Sequence, residues 1–200
     1  ILILKNQYEE AEEFLMEAKN LQAKRLGLEH KDYANSLSNL GYLYQNMKKW
    51  SQAEQYHLES IAIGEKNGFD YSGALSNLGV LRHQAGKLQE ARLCFDQALK
   101  IREKIFGKEH LNYARAERWL LGFHAEMKEW EQVARLAPDC SKRFVGHTLR
   151  TSKYLSDRGI DAYLKFYFPF DLFNACAWEH SDTALEKICY DHALFYKGFL

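Results

Sequence analysis

The sequence predicts an all-α solenoid of stacked helical hairpins, on three observations. The pentapeptide LSNLG stands at residues 37–41 and again at 75–79, inside a 25-residue stretch that aligns without a gap to its copy 38 positions later. The large residues Tyr8, Trp50, Leu88 and Trp130 recur at intervals of 42, 38 and 42. The only prolines are Pro138 and Pro169, so nothing in residues 1–137 breaks a helix by lacking an N–H. Self-similarity at a period near 40 marks a supersecondary unit that must stack on its neighbours to bury its apolar face.

Each element follows in order. The joints GLEHKDYA (27–34) and GKEHLNYA (107–114) lie 80 residues apart, and the middle joint KNGFDYSG is shorter by four, which accounts for the 38. Tyr33, Tyr71 and Tyr113 repeat at the same 38 and 42. In the first helix of a pair, Tyr33, Leu37, Leu40, Tyr44 and Met47 step by 4, 3, 4, 3, the apolar stripe of an α-helix. In two second helices, Tyr8, Ala11, Leu15, Ala18 and Leu88, Ala91, Phe95, Ala98 step by 3, 4, 3. Gly41, Gly79, Ala53 and Ala91 are small residues within these stripes, and are expected to let helix backbones approach closely. Glu9, Glu10, Glu12 and Glu13 open the helix that starts near Tyr8, and Lys24 and Arg25 close it, complementing the macrodipole. Asp32 and Asp70 stand where N-caps are expected. Pro138 is expected to end the fourth unit's second helix early. Residues 141–154 read as a short basic helix, and 155–200 as further helices rich in aromatics. Within these, Tyr163, Phe166, Tyr167, Phe168, Phe170 and Phe173 are too dense to face water.

Composition excludes several function classes. Lys+Arg and Asp+Glu both number 27, so a zero formal charge gives no reason to expect nucleic acid or an anionic membrane as a direct partner. No run of 18 apolar residues spans a bilayer, and ILILKNQ is too short, with no basic flank, for a signal peptide. The lack of an initiator Met and the last residues, ALFYKGFL, lead us to expect further sequence at both ends. Cys94, Cys140, Cys176 and Cys189 are irregularly spaced, with no C-x-x-C, and read as reduced thiols of a cytoplasmic protein. Cys176 with His180 and Cys189 with His192 have the residue types of a zinc set. A hairpin turning near Ser181 leaves the two histidines about 12 Å out of step, too far for one ion. No metal, cofactor or catalytic residue is expected in this segment.

The L-x-N-L-G run, the large residue nine positions after its glycine and the alanine three later resemble the long, kinesin-light-chain-like form of the tetratricopeptide repeat (TPR). The resemblance implies a right-handed superhelix over residues 1–137, in units 1–30, 31–68, 69–110 and 111–137, followed by a helical adaptor over 138–200. The first unit lacks its leading helix, and the fourth has Leu121 where glycine is expected. In this family the first helices of the pairs line a concave groove. Alignment on Gly41 and Gly79 puts Asn35, Ser38, Asn39, Tyr42 and Asn46 there, then Ser76, Asn77, Val80 and His83, then Arg115, Arg118 and Trp119. Asn39 and Asn77 fall where peptide-binding relatives hold an extended backbone, a task suited to an amide that both donates and accepts. They could equally brace neighbouring helices. The implied partner is a protein or peptide.

The run ICYDHALFYKGFL, after LSDRGIDAYLKFYFPFDLFNACAWEH, resembles the segment that precedes the caspase-like CHAT domain in bacterial TPR–CHAT proteins. Tyr190, Asp191, Ala193, Leu194, Lys197, Gly198 and Leu200 carry it. It implies a non-catalytic regulatory arm of a CHAT-type cysteine peptidase, in some members CRISPR-associated, with the catalytic His and Cys beyond Leu200. Residues 155–200 would then touch that downstream domain. The alternative is a stand-alone peptide-binding adaptor of the kinesin-light-chain kind. Arg143, His147 and Arg150 share a helical face (i, i+4, i+7) and form a candidate contact for phosphate or an acidic partner.

Overall fold

The computed structural model describes residues 7–151, and among these every regular element is an α-helix. They are α1 (Tyr8–Leu26), α2 (Lys31–Asn46), α3 (Trp50–Asn67), α4 (Ser72–Gln84), α5 (Leu88–Phe106), α6 (Leu111–Glu126) and α7 (Trp130–Thr151). The four large residues spaced 42, 38 and 42 apart are the first residues of α1, α3, α5 and α7. The chain divides into two compact units, 1–105 and 106–200. The aromatic stretch 155–200 and its Cys176, His180, Cys189 and His192 lie outside the described residues.

In the first unit α1 packs on α2, α2 on α3 and α3 on α4. The predicted stripe of α2 is its buried face, with Tyr33, Leu37, Leu40 and Tyr44 all below a tenth exposed. One core joins Leu40, Tyr44, Ala53, Ile61, Leu75, Leu78, Leu81 and Cys94, with Leu15 and Met16 of α1 half-buried against it. The two glycines play a different part from the expected backbone approach. A Cβ on Gly41 would lie 2.6 Å from Cε1 of His57, and one on Gly79 would lie 2.8 Å from Cε1 of Phe95. Each glycine therefore leaves room for a ring sixteen residues later, on the second helix of its own pair.

The second unit holds the counterpart. Leu121 replaces the glycine, and the residue sixteen later is Ala137 instead of a ring; both are fully buried in one cluster with Val133, Cys140 and Phe144. The departure at Leu121 is thus an exchange of large and small across the same contact, which keeps the shared volume filled.

Helix α7 runs through Pro138 to Thr151, so the expected early end does not occur. Val133, Ala137, Cys140 and Phe144 step by 4, 3, 4 and are each at most 1% exposed, so the apolar stripe continues past the proline, while Pro138 itself is exposed. A helix-interior proline costs about 3 kcal/mol. Full burial of Phe144 alone contributes about 1.5–3 kcal/mol, so packing beyond Pro138 offsets the break.

One cap also differs from expectation. His30, not Asp32, caps α2: its Nδ1 accepts from the Asp32 N–H at 3.2 Å. His110 repeats this on α6, accepting from the Asn112 N–H at 3.1 Å. Asp70 does satisfy the start of α4, accepting from the Ser72 N–H at 3.0 Å. The four-residue deletion leaves Tyr71 just ahead of α4, whereas Tyr33 and Tyr113 lie inside their helices.

Within each hairpin the turn uses one left-handed residue: Lys48 (φ 58°), Gly86 (φ 74°) and Lys128 (φ 57°). A side chain in that region costs about 1–2 kcal/mol, partly balanced by glycine's greater chain entropy. Lys48→Gly and Lys128→Gly are each expected to stabilise the fold by about 0.5–1 kcal/mol, the difference of those two effects. A lower urea midpoint in either variant would show that the lysine side chain stabilises the turn.

Candidate functional site

On α2, Asn35, Asn39, Tyr42 and Asn46 are spaced i, i+4, i+7, i+11, and all four are exposed, opposite the buried stripe. Ser38 is half-buried beside them. Helix α4 contacts α2 directly, and the side-chain amide of Gln45 donates to the side-chain Oε1 of Gln84 at 3.2 Å, so the two helices present one surface. From α4 it receives Asn77, Val80 and His83, all half-buried.

The amide groups on this face differ in what they already hold. Asn46 donates to the Tyr42 carbonyl at 2.7 Å and so helps finish α2. Asn35, Asn39 and Asn77 make no side-chain hydrogen bond among the described residues. Ser76 is a correction: it is buried, and its hydroxyl donates to the Ser72 carbonyl at 2.9 Å, one turn back. It lies beneath the face instead of on it.

Arg115, Arg118 and Trp119 stand on α6, in the second unit. Trp119 is exposed, and the Arg118 guanidinium lies 5.8 Å from its ring centroid, within cation–π range. A feature the sequence does not announce is a cleft of about 260 Å³ in the first unit, where Trp50, Leu81 and Ala85 meet Glu54, Arg82, Gln84 and Lys87. Arg82 is held there near Glu90 at 3.4 Å and Glu54 at 3.8 Å.

The basic face of α7 is also corrected. Arg143 is nearly buried, and its Nη1 donates to both Glu117 carboxylate oxygens, at 3.0 and 2.8 Å. The guanidinium lies 5.2 Å from the centroid of the Tyr113 ring. Burial pushes the Glu117 carboxyl up, and Arg143 opposes the shift. Removing either partner would leave a buried charge alone, so Arg143 is a structural clamp between α6 and α7. Arg150 remains exposed, and His147 is held below its usual range by burial first, then by Arg150 and His110.

The described thiols, Cys94 and Cys140, are free and buried, and burial raises both above the usual thiol range. Such thiols are poor nucleophiles. Among the described residues no group of His, Cys, Asp and Glu is placed to hold a metal ion. Nor is any described helix long and apolar enough to cross a membrane.

Comparison with known proteins agrees with this geometry. A family model described as tetratricopeptide repeat matches residues 1–66 and 70–132. Among solved structures, BtubC (BKLC) from P. vanneervenii superposes with a TM-score of 0.72 at 16% identity, over 98% of this chain and 76% of that one. A putative kinesin light chain of Podosopora anserina, built of nearly identical TPR-like repeats, superposes at 0.65 and 19% identity, over 98% of this chain and 91% of that one. A single-residue variant of that protein gives 0.63 at 18% identity, over 95% and 87%. No curated protein matches the sequence.

Proposed function

The chain belongs to the tetratricopeptide repeat family, and from that premise we propose that the shared face of α2 and α4 binds an extended peptide segment of a protein partner. The observation that carries this is the pair Asn39 and Asn77, at matched positions of adjacent first helices, with amides that bond to nothing else among the described residues. Bracing neighbouring helices would require hydrogen bonds that neither makes. Packed helices lie about 8–10 Å apart. An extended chain rises about 3.3 Å per residue, so the two amides suit backbone groups about three residues apart. Tyr42 and Val80, each about one turn farther along its helix, supply apolar contact beside them. The segment acts by binding and has no catalytic role.

Peptides selected from a random library against the chain provide the probe. Asn39→Ala and Asn77→Ala are each expected to weaken binding about fivefold, which corresponds to about 1 kcal/mol per lost amide pair. Both variants should keep the wild-type helicity and melting temperature, because neither amide holds the fold. Unchanged affinity in the double variant, or a large drop in melting temperature, would return the two residues to a bracing role.

The finer identity rests on sequence outside the described residues. The run from Tyr190 to Leu200 supports a regulatory arm that passes partner binding through residues 155–200 to a CHAT-type cysteine peptidase of the cytoplasm, CRISPR-associated in some relatives. The stand-alone adaptor of the kinesin-light-chain kind is the second reading; the solved structures of that kind share the fold with this chain and do not decide between the two. The gene sequence after codon 200 separates them. An encoded α/β domain with paired His and Cys supports the peptidase arm, and its absence supports the adaptor.

A further inference from the structure

In the second unit, Glu109 of the 107–110 joint and Asp139, Lys142, Arg143, Gly146 and Arg150 of α7 enclose a cleft of about 310 Å³. We infer that this cleft is a binding site for a phosphate-type oxyanion, held above Gly146 by Lys142 and Arg150.

The charges are divided unequally within it. Arg143 is already committed to Glu117, with Asp139 3.9 Å away on its other side. Lys142 and Arg150 make no ion pair or hydrogen bond among the described residues. Against these two cations stands one carboxylate without a partner among the described residues, that of Glu109. Lys142, Gly146 and Arg150 are spaced i, i+4, i+8 and share one face. Their Cα positions are about 12 Å apart along the helix axis, and both side chains are long enough to reach over the glycine midway. A guanidinium fork and an ammonium together suit a tetrahedral dianion: two oxygens to the arginine, one to the lysine.

Gly146 is the second observation. Glycine is the weakest helix former after proline, and it sits here in the interior of α7. Its φ is not left-handed, and a Cβ built on it would meet nothing within 4 Å. Neither backbone nor packing asks for a glycine. What its missing side chain does provide is an open floor between Lys142 and Arg150. The field in the cleft agrees with this. Besides burial, His147 is pulled down by the positive charge of Arg150 and by His110.

The test uses the 200-residue chain and two probes, inorganic phosphate and a phosphoserine flanked by glycine and alanine, with the unphosphorylated peptide as control. Saturable binding by calorimetry is expected, with a rise in the His147 pKa followed by NMR as the anion compensates Arg150. Arg150→Gln should weaken binding at least tenfold. Gly146→Leu should abolish it while keeping or raising the melting temperature, since the added side chain fills only the cleft. Glu109→Gln should tighten binding severalfold. Tighter binding of the phosphopeptide identifies a modified side chain of a protein as the source, and tighter binding of phosphate identifies the free anion. Absence of saturation by either probe at millimolar concentration, or wild-type affinity in Arg150→Gln and Gly146→Leu, would overturn the assignment.

Discussion

Gly41→Leu will destabilise the protein by about 3 kcal/mol, the upper end of overpacking costs, and adding His57→Ala will restore most of the loss. Three ring atoms of His57 lie 2.6, 2.7 and 2.9 Å from where a Cβ on residue 41 would stand. The imidazole is 0% exposed, so it can yield only by displacing the core around it. The cost is therefore a forced shift of the α2–α3 contact, in a core shared with α1, α4 and α5. The double variant rebuilds the arrangement the protein already uses at Leu121 and Ala137. A double-mutant cycle in urea should show a favourable coupling of about 2 kcal/mol between the two sites. Additive effects would mean that the two positions do not share one volume. Gly79→Leu against Phe95 should behave as Gly41→Leu does, because its Cβ would stand 2.8 Å from the phenyl ring.

His57→Phe will stabilise the protein at pH 7 and remove a loss of stability in mild acid. Both ring nitrogens of His57 are buried without a hydrogen-bond partner. Leaving a buried polar group unpaired costs about 1–3 kcal/mol, so a phenyl ring should gain about that much. A ring of that kind has a precedent at the corresponding contact, where Phe95 lies against Gly79. Burial lowers the His57 pKa to about 4 from the ordinary 6.5. The unfolded chain therefore binds this proton first as pH falls. Above pH 6.5 the residue is neutral in both states and stability does not depend on it. Between pH 6.5 and 4 the native state loses stability at about 1.4 kcal/mol per pH unit, about 3 kcal/mol in all. Subtracting the Phe variant's stability–pH curve isolates this contribution from the carboxylates. Parallel curves for the two proteins would show that His57 is reached by solvent when it takes up a proton.

Much of the fold was legible because helix periodicity is a local property. The stripe Tyr33, Leu37, Leu40, Tyr44 and the helix starts at Tyr8, Trp50, Leu88 and Trp130 needed only spacing within the chain. The exposure of some candidate positions was legible in the same way: positions opposite a buried stripe must face outward, and Asn35, Asn39 and Tyr42 do. Ser76 was misplaced because a hydroxyl can turn back to the carbonyl four residues earlier, a choice that its spacing does not reveal. The cap of α2 was misassigned because aspartate is the stronger prior at such a position, while His30 accepts through a ring nitrogen that composition does not flag, as His110 does on α6.

By itself the sequence determined the repeat length, the pairing of helices, the zero formal net charge and the family. Those follow from intervals along the chain and from side-chain type. Tertiary structure alone decided what each repeated position is used for. Whether position 41, 79 or 121 must be small depends on the residue sixteen later and across the contact, and the three pairs divide one volume in different ways. The fate of a charge is decided in the same manner. Arg143 and Arg150 look alike in the sequence, but among the described residues only Arg143 has a buried carboxylate opposite it, and that neighbour belongs to another helix.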